Sequence, residues 1–94
     1  MNIRRIVLDV GKSLSRPTLV ELLSAIDTVP GVEAVNATIN DMDMETMGLN
    51  ITVEGNNIDY EELIDKIERS GSAVHSVDQM VVGKRLIENI RGNI

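Results

Sequence analysis

The apolar residues of this chain fall into six periodic segments, and their order restricts the fold more than any other feature. From Arg4 to Val10, Ile6, Leu8 and Val10 alternate with Arg5, Val7 and Asp9, the period of a strand with one buried face. Regularity breaks over Gly11-Lys12-Ser13-Leu14-Ser15-Arg16-Pro17. Pro17 suits an early helical position, and Thr18 with Glu21 has capping-box spacing. Leu19, Leu22, Leu23 and Ile26 then form the stripe of a helix packed on a sheet, closed by Val29-Pro30-Gly31. A second strand starts at Val32, with Val35, Ala37 and Ile39 set against Asn36, Thr38 and Asn40. After an acidic turn, Leu49, Ile51 and Val53 point inward along a third strand, with Asn50, Thr52 and Glu54 outward. Asp59 caps a second helix and Glu62 completes its box; Tyr60, Leu63, Ile64 and Ile67 make its stripe, and Gly71 stands at C′. A fourth strand runs from about Ala73 to Val82.

Strand–helix–strand–strand–helix–strand is the order of the split βαβ, or ferredoxin-like, sandwich. The expected fold is α+β: a four-stranded antiparallel sheet with two helices on one face. Residues 1–83 make the domain, and 84–94 a C-terminal extension. Leu86, Ile87 and Ile90 give that extension three large aliphatics, so it packs on this subunit or a neighbour as a short helix or added strand.

Topology predicts where a site can form. The first two strands run one way and the last two the other, so one end of the sheet gathers 9–15, 41–48 and 72–76. The exposed face carries Asn36, Thr38, Asn50 and Thr52, polar and uncharged, which suits pairing with a second copy.

Composition removes several classes of function. Nine basic against fifteen acidic side chains leave a net charge of −6, which repels a phosphate backbone. An RRM-like face stacks bases on aromatic rings, but the corresponding strands offer Val7, Asp9, Asn50 and Thr52, and Tyr60 is the only aromatic residue of the chain. Nucleic acid is therefore not an expected partner. The absence of cysteine excludes disulfides, thiolate metal sites and thiol catalysis. Ile6-Val7-Leu8 meets Asp9 too soon to be the apolar core of a signal peptide, and no run approaches the ~20 residues of a membrane span. The expectation is a cytoplasmic protein with no membrane partner.

Three constellations could carry chemistry. Asp41, Asp43 and Glu45 alternate, so in extended backbone their carboxylates project from one side about 7 Å apart. Hard cations take oxygen ligands of this kind, and Ca²⁺ is expected before Mg²⁺. The segment is not an EF-hand loop: counted from Asp41, Thr46 stands where Gly is needed and Thr52 where Glu is. Backbone carbonyls, water or a second subunit would have to complete the shell; otherwise the segment is a solvated turn. His75, the only histidine, precedes Ser76 and Asp78, and a histidine beside a carboxylate can act as a general base. No nucleophile elbow accompanies it, so His75 and Asp78 are assigned supporting or small-ligand parts. Gly11-Lys12-Ser13 lacks phosphate-loop spacing, but a helix start beside it can receive a small carboxylate or anion.

Arg4-Arg5-Ile6-Val7-Leu8-Asp9-Val10, Pro30-Gly31-Val32-Glu33-Ala34-Val35-Asn36, Glu45-Thr46 and Val74-His75-Ser76-Val77-Asp78 with Gly83 resemble an archaeal family of short proteins, domain-of-unknown-function family 211. The His-Ser-Val-Asp stretch and the acidic hairpin are the more specific parts. The chain departs after the first strand, where the family has a Lys-Pro-His-Glu-Pro-like segment and this sequence reads Lys12-Ser13-Leu14-Ser15-Arg16-Pro17. The resemblance implies a ferredoxin-like fold, self-association into rings or larger oligomers, and no established activity. The layout is also similar to amino-acid-sensing regulatory domains and to heavy-metal-associated domains, whose Cys-x-x-Cys pair is missing. The sequence thus leads to a non-enzymatic homo-oligomeric binding module with Ca²⁺ at the acidic hairpin. Its alternative is a regulatory domain sensing a small metabolite at Gly11, Lys12 and Ser13.

Overall fold

A computed structural model describes residues 1–89. Its elements are β1 (Ile3–Ser13), α1 (Leu19–Asp27), β2 (Val32–Met42), β3 (Thr46–Gly55), α2 (Tyr60–Arg69) and β4 (Ala73–Val82). They form one antiparallel sheet in the order β2-β3-β1-β4, the ferredoxin-like arrangement expected from the segment order. Both helices lie on one face, α1 against β2, α2 against β4, and each against the other.

The inward alternation is that of the sequence. Ile6, Leu8, Val10, Leu49, Ile51 and Val53 meet Leu22, Ile26, Leu63 and Ile67 in a core closed to solvent. Burying each such side chain contributes about 1.5–3 kcal/mol, and ten aliphatics of this kind replace the missing aromatics.

Local signals at the helix ends differ from expectation in two places. Thr18 and Glu21 form the full capping box, but Pro17 precedes the cap, in a cis peptide with Arg16, and is not inside the helix. Asp59 accepts from the Glu62 N–H at 3.0 Å, yet the reciprocal bond is missing, because the Asp59 N–H already donates to the Pro30 carbonyl at 3.0 Å. Gly71 ends α2 as expected, with φ at 98°. Its N–H donates to Glu68 and that of Ser72 to Ile67, the double closure of a Schellman motif.

β1 also outruns its expected end at Val10. Gly11, Lys12 and Ser13 continue the ladder against Gly48, Met47 and Thr46, so the loop expected at Gly11 begins at Leu14. Pairing with β3 overrode the low strand preference of Gly-Lys-Ser.

Beyond Val82, Gly83 has φ at 124° and its N–H donates to the Asn2 carbonyl at 2.8 Å. Residues 84–89 return toward the sheet as neither helix nor strand. Ile90 and the rest of the extension lie outside the described residues.

Candidate functional site

At the hairpin end of the sheet, the last residues of β1, the β2–β3 hairpin and the first residues of β4 enclose a groove of about 470 Å³. Its floor is a pair of glycines, since Gly11 of β1 stands directly opposite Gly48 of β3. Their missing side chains matter. A Cβ on Gly11 would collide with the His75 imidazole at Nε2, and one on Gly48 would come within 2.7 Å of Asn40 Oδ1. His75 from β4 and Asn40 from β2 thus fold over the pair from opposite sides. The Asn40 amide is oriented, because its Nδ2 donates to Asn50 Oδ1 at 3.0 Å and leaves Oδ1 over Gly48. Asp9 and Asp41 line the same groove, and neither their side chains nor that of His75 bonds to another described residue.

Lys12 lines the groove from the other side of β1. It follows Val10 in the inward register and is only 4% exposed. An ammonium has three donors; among the described residues, the acceptor for Lys12 Nζ is the Ser13 carbonyl at 2.7 Å. Ser13 itself faces away, its Oγ donating to the Arg16 carbonyl at 2.8 Å and accepting from the Arg16 N–H.

The acidic hairpin is built differently from an empty cation cage. Asp43 Oδ1 accepts from the N–H groups of Glu45 and Thr46, both at 2.9 Å, and from the Thr46 hydroxyl at 3.1 Å. Those bonds, the Glu45 N–H first, hold the Asp43 carboxyl below the ordinary carboxylate range. Asp41, Asp43 and Glu45 are all exposed, and no described basic side chain pairs with them. They do not converge: among the described residues, no three acidic or histidine side chains stand where they could hold a metal ion. The hairpin outruns the helical layer, so Ile39, expected inward, is 46% exposed, with Met42 and Met44 more so.

His75 and Asp78 make no hydrogen bond to each other. The Ser76 hydroxyl donates to Asp78 Oδ1 at 2.7 Å, which leaves His75 to the groove. The register shift between Asp9 and Val10 gives β4 one residue more than β1 at this point and separates His75 from its successors.

Arg5 had no place among the candidate site residues read from the sequence. On the open face its Nε donates to Glu54 at 2.7 Å, while Nη1 and Nη2 clasp Glu88 of the extension at 3.1 and 3.0 Å. The side chain is 13% exposed, and Glu88 first, then Glu54, keeps it more firmly charged than an ordinary arginine. The glycine pair was equally unforeseen, though a glycine inside a strand pattern is the sign of close approach.

A family model covers residues 4–93 of the chain: DUF211, an uncharacterised ArCR group. The chain belongs to the DUF211 family. Among curated DUF211-like relatives, an uncharacterised protein of Methanocaldococcus jannaschii is 38% identical over 89 residues, covering 95% of this chain and 91% of its own length. In this DUF211 chain, no described helix is long and apolar enough to cross a membrane.

Proposed function

We propose that this chain is a non-enzymatic, self-associating binding module whose copies meet through the β2–β3 hairpin, with Ca²⁺ shared between them. One observation carries this reading. The hairpin exposes Ile39, Met42 and Met44, the last 93% exposed, beside three carboxylates that have no basic partner in the described chain. Apolar side chains gathered at a projecting tip call for cover. Covering them with a second copy of a chain of net charge −6 sets acid against acid, at a cost that a hard divalent cation removes. Because the three carboxylates of one copy do not converge, each copy brings only part of the set of Asp41, Asp43 and Glu45 to the ion, and the neighbouring copy and water supply the rest. Closed symmetric oligomers, two-fold dimers most often, are the usual result of such contacts.

Light scattering of chelator-treated protein, repeated with Ca²⁺, tests the proposal alongside calorimetric titration. The expected result is a rise in mass on adding Ca²⁺, with saturable heat. Asp43→Asn keeps an oxygen acceptor for the turn and removes a charge; combined with Glu45→Gln it should abolish both responses. A monomer at micromolar concentration with and without Ca²⁺, or a response unchanged in the double variant, would overturn it.

A further inference from the structure

The sheet ends in two strands, β2 and β4, whose outer sides meet no described strand. We propose that they are the two halves of one interface: β4 of one copy pairs with β2 of the next, so that the sheet continues from chain to chain. This contact is separate from the hairpin contact proposed above and needs no cation.

Length, shape and charge select this partner. β2 has 11 residues and β4 has 10, and neither contains a proline or a lysine, two of the residues that guard an edge. On β4, Val77 and Met80 stand opposite Leu8 and Ile6 of β1, so they point toward the helix layer. At the rim of that layer they stay 40% and 39% exposed. Beside β2, Val20, Leu23, Ser24 and Asp27 of α1 and Val35 line a groove of about 320 Å³. A sheet continued from copy to copy keeps its helix layers on one side, so Val77 and Met80 of one chain arrive at that groove of the next. Arg5 holds Glu88 of the extension on the opposite, open face.

β4 runs opposite to β2, so the pairing is antiparallel. It brings Lys84 and Arg85, just past the end of β4, to Asp27 at the end of α1 and Glu33 at the start of β2. None of these four side chains has an ion pair within the described chain. The symmetric alternatives lose this match. Antiparallel β2 against β2, centred on Ala37, sets Glu33 against Asp41, acid on acid. Antiparallel β4 against β4 leaves the α1 groove uncovered and takes both cations away from Asp27 and Glu33. Complementary charge at one end thus fixes both the register and the choice of edge. Two different surfaces meet in this contact, so it repeats until a ring closes or a filament grows.

Light scattering of the full-length chain at micromolar concentration in chelator tests the interface. The wild type should exceed the mass of a dimer. Met80→Glu, which sets an acid against Asp27, should leave a monomer, and so should Val20→Glu with Ser24→Glu; circular dichroism checks that each is folded. Each of these variants keeps one working edge, and the two mixed in equal amounts should give a dimer that grows no further. Lys84→Glu with Arg85→Glu, outside every helix and strand, should weaken assembly about tenfold and decides the matter if Met80→Glu does not fold. Asp43→Asn with Glu45→Gln should leave the mass in chelator unchanged, which separates this contact from the calcium contact. A wild-type monomer in chelator, wild-type mass in Met80→Glu, or a mixture that stays monomeric would each overturn the pairing. A dimer formed by either variant alone would overturn it in favour of a symmetric contact.

Discussion

Gly11 of β1 lies opposite Gly48 of β3, and that cross-strand pair is what lets His75 and Asn40 reach over the sheet. Glycine is required here by close approach rather than by backbone angle. In Gly11→Ala the new methyl meets the end of an exposed, movable imidazole, so the ring should swing away with the fold intact. Gly55→Ala is the contrast. That Cβ would run into the Gly31 carbonyl, a backbone atom in a buried corner, and the strand would have to shift. Urea unfolding should show a change within about 0.5 kcal/mol for Gly11→Ala and a loss of about 2 kcal/mol or more for Gly55→Ala. Equal losses in the two variants would mean that the His75 ring is held as firmly as backbone.

The Arg5–Glu88 pair should hold the extension without holding the domain. Glu88 is 70% exposed on its side chain while Arg5 is 13% exposed, so the pair joins a largely buried fork to an exposed partner. Glu88→Gln should leave the melting temperature nearly unchanged and speed both amide exchange over 84–89 and tryptic cleavage after Lys84 and Arg85. Unchanged exchange would assign the tether to the Gly83 N–H bond to Asn2 and the Arg4 bond to the Lys84 carbonyl instead.

Acid should destabilise the protein through three carboxylates held below their ordinary range. Asp43 is held by the N–H of Glu45 and then by Thr46, Glu21 by the N–H of Thr18, and Glu88 by hydrogen bonds from Arg5. As pH falls, the unfolded chain takes up protons before the folded one does. These contributions are therefore complete above the ordinary carboxylate pKa, about 4, and are lost as pH drops through the lower folded values. Asn at position 43 keeps the acceptor and does not titrate, so Asp43→Asn should show a shallower decline in urea midpoint below about pH 4. An unchanged slope would remove Asp43 from the set.

Much of the architecture was legible before the structure. The inward stripe of each strand and helix, the Thr18 box and the Gly71 stop are local, with two or three nearby residues deciding each. The errors have non-local causes. β1 reaches Ser13 because β3 pairs with Gly11, Lys12 and Ser13, and no residue between 11 and 13 announces that neighbour. The second capping box is half made because the Asp59 N–H already serves Pro30. The polar end was expected from 9–15, 41–48 and 72–76, and Asp9, Lys12, Asp41, Gly48 and His75 from those ranges line one groove there; Asn40, outside them, joins through strand register.

The sequence by itself determined the order of elements, the buried face of each and the end of the sheet where polar residues collect. Periodicity and capping depend on residues within one or two turns. Only the tertiary structure decided that His75 is the extra residue of β4 and lies over Gly11, and that Arg5 reaches Glu88. The first depends on a strand shift of one residue and the second on a contact between residues 83 apart, and an alternating pattern reads the same in every register that keeps its apolar face inward.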